Sequence, residues 1–523
     1  MTSSEKDQKY DRQLRLWGIH GQRALESSRV LLLNGDGVGS ETLKNLVLPA
    51  IGAFAVLDDA RVSARDAADN FFVDAARHLG QPRAVAVADL LAELNADVRG
   101  EPLVRSLASV DDSLLRSFSL VVASNVRDAG ELQRIARLLF ALRIPLVIVR
   151  AVGFIGYVRV VVPEHNVVEA KLDNAADDLR VAEPFAALLQ HALATPLAAM
   201  DSKQHSHFPW ICVLIQFAAE WRAAHGGALP SSAADKKAFK QAVRNLAKSP
   251  TEENIPEAHA QAHLAYTPYR VPADVRAVLD AATPDKARAL PLDAATATLP
   301  HEPPVFWRIM AAVAAFVAAE GAGKLPLAGN VPDLTATTEG YLALQTIYAD
   351  QARRDVDAVA AHLAALFGAA DAAAIGRDAV RDVCRQCANV QHIAYRSLDQ
   401  ELADPGPLKA YLGDPQSDAH WVTVMRAADA AAADLAQAAT PDAKLALLRA
   451  AAARIVGTDV QSPGDDRLRH WLRADGAQLH NTAAVLGGIA SQEIIKLITH
   501  QYVPLNNTFI WNGLKGVSAT LQL

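Results

Sequence analysis

Cysteine is scarce: Cys212, Cys384 and Cys387 are the only three in a chain of 523 residues. Three thiols cannot build a disulfide framework, and this usage agrees with a reducing compartment. Long apolar runs are missing as well. A strongly apolar stretch such as Met310 to Ala319 falls well short of the ~20 residues that span a bilayer. No opening segment joins a charged region to an apolar core, so a soluble, intracellular chain is expected. Nor is positive charge in excess. The net charge of -7 gives no general basic surface for nucleic acid or anionic lipid. What is present is a globular balance, 51% hydrophobic and 21% charged, in a chain long enough for two or three domains and a large core.

The pattern along the chain opens as α/β. Val30 to Leu33 reads as a buried strand, Ser40 to Leu48 as a helix and Ala53 to Leu57 as a second strand ending in Asp58-Asp59. A helix from Pro82 to Leu94, a strand at Leu120-Val121-Val122-Ala123, a helix from Gly130 to Leu142 and a strand from Pro145 to Val149 continue the alternation. Such alternation predicts a parallel, doubly wound sheet, with Gly156 to Val162 adding antiparallel closure. From residue 168 the pattern turns alanine-rich, helical and punctuated by proline. The last stretch returns to the first style, with a helix from Asn481 to Thr499 and strands at Thr508 to Trp511 and Ser518 to Leu523. Three segments are therefore expected: 1–167 as the first part of an α/β domain, 168–478 as a mainly helical insertion, and 479–523 completing the sheet.

Between the first strand and helix lies Asn34-Gly35-Asp36-Gly37-Val38-Gly39. A strand, a glycine turn and a helix N-terminus normally hold an anion on backbone N–H groups, and glycines leave room for its approach. Here an acid stands in the turn. At ~5 Å from a phosphate charge, Asp36 would cost about 3 kcal/mol at an effective dielectric of ~20, comparable to one or two charge-assisted hydrogen bonds. The loop reads as inherited geometry whose ligand function is lost; a bridging magnesium is the counter-reading.

Several motifs then fall together. Lys9-Tyr10-Asp11-Arg12-Gln13-Leu14-Arg15-Leu16-Trp17-Gly18, the glycine turn, Lys44-Asn45-Leu46 and Asn70-Phe71-Phe72 resemble the ThiF/MoeB-type adenylation fold of ubiquitin-like-modifier activating enzymes. The runs Phe306-Trp307-Arg308, Gly323-Lys324-Leu325-Pro326, Val331-Pro332-Asp333-Leu334, Leu486 to Lys496 and Asn506 to Ile510 narrow the likeness. It is to the amyloid-precursor-binding-protein-like regulatory subunits of heterodimeric neddylation-modifier activating enzymes. The fold this implies is α/β, a Rossmann-like adenylation domain with a large helical insertion that resembles a catalytic-cysteine domain without the cysteine.

Against the active half of that family the chain departs at most positions. Asn34 and Asp36 replace the first two glycines of a Gly-x-Gly-Gly-x-Gly loop, while Gly37 and Gly39 match the last two. Ala60 falls where a ribose acid belongs, Ala68 and Asp69 where an Asn and an Arg contact ATP, and Arg83 in place of a Lys. Ser124-Asn125-Val126 occupies the stretch of the metal-binding Asp. Apart from Arg83, which keeps a positive charge, these changes remove a cation or a ligand that charge stabilisation of an acyl-adenylate needs.

The resemblance implies a subunit with no catalytic residue, metal or nucleotide of its own, working as a heterodimer with a catalytic subunit that holds ATP and Mg. Adenylation of the modifier's C-terminal glycine and thioester formation then occur on that partner, in cytoplasm and nucleus. Arg12 is the residue implied to cross the pseudo-twofold interface to the partner's ATP, with Arg15 second; its planar charged fork suits triphosphate oxygens. The alternative is a surface arginine paired with Asp11 or a helix end. Trp210, Lys324, Pro326, Pro332 and Asp333 are candidate partner or domain contacts, although Trp210 also reads as core.

No cysteine suits a thioester. Cys212 lies in an apolar helical run, and Cys384-Arg385-Gln386-Cys387 lacks both a second pair and a thioredoxin-like strand. His205-Ser206-His207 reads as local hydrogen bonding, and Gly487-Gly488 as close packing of helix on sheet. Two other functions remain open: a self-sufficient adenylating enzyme with a reorganised site, and a dinucleotide oxidoreductase echoed by Gly35, Gly37, Gly39 and Asp58.

Overall fold

The computed structural model describes residues 8–172, 178–457 and 461–523. Two compact units result, one of Met1–His165 with His392–Leu523 and one of Asn166–Gln391. The first is built on strands β1 (Arg29–Leu33), β2 (Ala53–Leu57), β3 (Arg99–Leu103), β4 (Leu120–Ser124), β5 (Leu146–Val152), β6 (Ile155–Val161), β7 (Thr508–Asn512) and β8 (Val517–Leu521). Their spatial order is β8-β7-β6-β5-β4-β1-β2-β3. The β3-β2-β1-β4-β5 half is parallel, and β6, β7 and β8 each join antiparallel.

Strand alternation loads both faces of this sheet. Val30, Leu32, Phe54 and Val56 pack with Leu43, Leu46, Val87 and Leu91 of the flanking helices and with Leu486, Ala490 and Ile494 of the helix His480–Thr499. On the other face Leu31, Leu33, Ala55 and Leu57 share a core with Ile135, Leu139, Trp421, Met425, Leu448 and Ala452. The return segment thus supplies two strands and a central helix, as its pattern predicts.

The division of the chain differs from the expected 168–478 insertion, which also includes 173–177 and 458–460, outside the described residues. The second unit closes at Gln391, and helices His420–Ala430 and Pro441–Val456 cover the sheet of the first unit. Alanine-rich helices look alike from their periodicity; what separates them is the surface on which they bury Trp421 or Leu448. Strand β3 is also absent from the sequence reading. Arg99-Gly100-Glu101-Pro102-Leu103 is an exposed edge strand with glycine and proline and no apolar alternation, so only its pairing with β2 defines it.

The second unit is helical. Helices Trp210–Ala224, Ala233–Arg244, Pro303–Ala318, Thr338–Phe367 and Ala369–Gln386 enclose two apolar cores, one around Phe306, Trp307 and Val359, the other around Ile211, Phe239 and Tyr348.

Candidate functional site

The glycine turn leaves β1 where the strand order reverses, between β1 and β4, the position at which open α/β sheets take ligands. Asn34, at φ 73°, supplies the left-handed residue that starts the turn. Asp36 then caps the helix Gly37–Val47, accepting from the Gly39 N–H at 3.0 Å. It is 5% exposed and accepts four further hydrogen bonds: from the Ser124 hydroxyl, from Asn125 Nδ2 at 2.8 Å, from Gln478 Nε2 at 3.0 Å and, at 3.5 Å, from Asn34 Nδ2. Burial pushes its carboxyl above the ordinary range, and the bonds from Ser124, Asn125 and Gly39 offset that in part.

Gln478 completes the closure. While its Nε2 donates to Asp36, its Oε1 accepts the Val38 N–H at 2.9 Å. Two donors at this helix end, the Val38 and Gly39 N–H groups, thus already hold acceptors from within the chain. A Cβ on Gly37 would stand 2.5 Å from the Asp69 carbonyl oxygen and 3.1 Å from Gln478 Oε1, so no side chain fits at that position of the turn.

The remaining cation is engaged too. Arg83 donates from Nε to Asp58 and from Nη1 to Asp66, both at 2.7 Å, and from Nη2 to Asn34 Oδ1. Burial alone would lower its pKa, but Asp58 and Asp66 outweigh burial and raise it, so the guanidinium is held in its charged form. Asp58 also accepts from Gly35 N at 2.8 Å and Ala60 N at 2.9 Å. The acid that ends β2 therefore organises its own loop.

What is left is a cleft of about 390 Å³ lined by Asp58, Asp59, Asp66, Asp69, Arg65, Arg105 and Arg127 among others. Several of the groups that could meet a magnesium nucleotide are engaged within the chain. Asp36 and Asp58 spend their oxygens on protein donors, Ser124 and Asn125 point donors at Asp36, and among the described residues no group of three His, Cys, Asp or Glu could hold a metal ion.

The N-terminal motif divides its residues between anchoring and display. Tyr10 is buried and donates to Asp97 at 2.8 Å, joined by Lys9 at 2.7 Å. Asp11 pairs with Arg15 at 3.1 Å, not with Arg12. Arg12 stands exposed on the helix Asp11–Ser27, with no ion pair among the described residues.

The other predicted residues separate. Trp210 is 5% exposed inside the second unit's core, so it presents no face to a partner chain; it opens an apolar helix whose Ile211, Val213 and Leu214 are buried with it. Lys324 pairs with Glu183 at 2.9 Å, Pro326 is buried, Pro332 half-buried and Asp333 exposed. All three cysteines are buried and free, and burial pushes the Cys212 and Cys387 thiols up to about 12 and Cys384 well above its ordinary value. No nucleophile is offered there. His205 is buried against Glu252 at 3.2 Å, and His207 meets the Lys203 carbonyl at 3.1 Å, a local arrangement. Gly487 does allow close approach, since a Cβ there would lie 2.7 Å from Glu41 Cβ and 2.9 Å from Thr42 N, but Gly488 faces open space.

Sequence reasoning missed Gln478, Ser124 and Asn125 as the partners of Asp36. Gln478 lies 442 residues away in sequence, and nothing in its local pattern points to the turn.

An open α/β sheet with a glycine turn at its switch point and antiparallel closure is the adenylation architecture, here with an occupied anion seat. A family model described as "ThiF family" matches residues 10–519, and the chain belongs to that family. It is 36% identical over 544 residues to the NEDD8-activating enzyme E1 regulatory subunit of Gallus gallus, covering 100% of this chain and 99% of that protein. The protein of the same name from Xenopus laevis is 36% identical, with 99% of both chains covered. The NEDD8-activating enzyme E1 regulatory subunit AXR1 of Arabidopsis thaliana is 32% identical over 100% of this chain and 97% of its own length. The resemblance seen in the motifs therefore holds from end to end.

Proposed function

We propose that this chain is the regulatory, non-catalytic subunit of a heterodimeric NEDD8-activating enzyme. It supports ATP-dependent adenylation of the modifier's C-terminal glycine and thioester formation, both on a catalytic partner subunit. The observation that carries the reading is the internally occupied turn: Asp36 and Gln478 take the N–H groups of Gly39 and Val38, and Arg83 is bound by Asp58, Asp66 and Asn34. With all three thiols buried, the thioester step is assigned to the partner as well. ATP and Mg are assigned to the partner, and no cofactor to this chain alone. Its three free thiols suit the reducing cytoplasm and nucleus, the compartments we assign.

Arg12 is the contribution in trans. Two residues from the anchored Tyr10 and without an ion pair among the described residues, its fork is free to meet triphosphate oxygens across an interface. The helical unit, through exposed groups such as Asp333, helps orient the modifier.

The test mixes this chain with the catalytic subunit, modifier and ATP and follows ATP–pyrophosphate exchange. The chain alone should give none, the pair should give robust exchange, and Arg12→Ala should lower the rate about 10- to 100-fold, the worth of one or two charge-assisted hydrogen bonds, with dimerisation intact. Exchange by the isolated chain would restore the self-sufficient enzyme, and an unchanged Arg12→Ala rate would remove the role in trans.

A further inference from the structure

A feature of the second unit lies outside this chemistry. The helix Ala233–Arg244, AADKKAFKQAVR, carries four cations, Lys236, Lys237, Lys240 and Arg244, against one acid, Asp235. Phe239 and Val243 are its buried residues. At about 100° per residue, the four cations fall in one sector roughly 100° wide beside that buried seam, and Asp235 falls outside it. Asp235 is moreover used locally, in the capping box with Ser232.

All four cations are exposed, and among the described residues none forms an ion pair. Three other exposed arginines of the unit do find carboxylates: Arg353 pairs with Asp350, Arg377 with Asp357, and Arg381 with Asp378 and Asp382. The acid of the neighbouring helix Asn254–Ala260, Glu257, is engaged by Thr335 instead. His259 of that helix lies beside the stripe, where burial together with Lys240 and Arg244 lowers its pKa, and Lys236 sits 5.9 Å from the Tyr266 ring centre. Four like charges left unpaired on one face repel one another, a modest cost that an incoming acidic group would turn into attraction.

We propose that the Lys236–Arg244 face is a docking surface for a short acidic segment of a protein partner. Charge complementarity fixes the sign of that partner, and length favours a polypeptide. Lys236 to Arg244 spans about 12 Å of helix, enough for a few carboxylates. A nucleic acid strand would run past it onto a chain of net charge -7, and the nearby aromatic ring, Tyr266, is partly covered rather than displayed for base stacking.

The experiment uses the full chain with two labelled probes, a glutamate-rich peptide and a single-stranded oligonucleotide of equal charge, in anisotropy titrations at low and physiological salt. Peptide binding should exceed oligonucleotide binding, and K236E/K240E/R244E should weaken it about tenfold or more, as loss of a complementary patch does. R353E/R377E/R381E, with the same change in net charge on paired positions, should leave it nearly unchanged. Because the reversed residues are exposed, thermal melts should match wild type, and K236Q/K240Q/R244Q gives an intermediate loss without charge reversal. Equal losses in both triple-reversal variants would reduce the effect to net charge and overturn the proposal. So would undiminished peptide binding, and tighter binding of the oligonucleotide would reassign the face to nucleic acid.

Discussion

Asp36 would repel a phosphate, but in the folded chain it serves as the acceptor on which Gly39, Ser124, Asn125 and Gln478 converge. A buried carboxylate that meets several donors stays, because its removal strands them; unmade buried hydrogen bonds cost about 1–3 kcal/mol. Its folded pKa is raised by burial, so the native state holds this proton more tightly than the unfolded chain does. The stabilising share tied to that proton is fully present below the ordinary carboxylate value and is lost as pH rises through the native one. Asp36→Ala should therefore lower stability by about 1–3 kcal/mol in acid, with the gap to wild type narrowing toward neutrality, as urea unfolding from about pH 5 to about pH 8 would reveal. A gap that widens with pH would mean that the carboxylate is stabilised as an ion.

At the scale of elements, the sheet is held by close contact between the helices Gly37–Val47 and His480–Thr499. Gly487 sits where a side chain would strike Glu41 Cβ at 2.7 Å and the Thr42 backbone at 2.9 Å, whereas Gly488 has nothing within 4 Å. Gly487→Ala should cost about 1–3 kcal/mol through overpacking. Gly488→Ala should instead gain about 0.5–1 kcal/mol, because alanine restricts the unfolded chain and favours helix. Parallel thermal melts distinguish the two, and equal behaviour would mean that the helices separate to admit a methyl. The glycine pair was visible in the sequence, but not which of its members meets a neighbour. That depends on the rotation of one helix against another.

For the whole molecule, one sheet is assembled from the two ends of the chain, with β7 and β8 coming from residues 508–521. A chain ending after Gln478 would expose the antiparallel side of β6 and the apolar face covered by Leu486, Ala490 and Ile494. Such a truncation should lose the cooperative unfolding of the sheet unit while keeping much of its helical circular dichroism; a fully cooperative transition would show that the sheet stands without its return segment. Much of this was legible in advance. Continuous apolar runs such as Val30–Leu33 can be buried on both faces only as inner strands, and the motifs around Arg12 and the glycine turn carried the family likeness, because local pattern records which surface a segment must hide. The sequence by itself determined the alternating α/β frame, the acid in the turn, the shortage of usable thiols and the return of the chain to its starting sheet. Only tertiary structure decided that the helical unit closes at Gln391, that Trp210 is core, that Asp11 chooses Arg15 over Arg12, and that Gln478 occupies the anion seat. Those outcomes rest on contacts between residues far apart in the chain, or on competition among neighbours for one partner, and neither leaves a periodic mark in sequence.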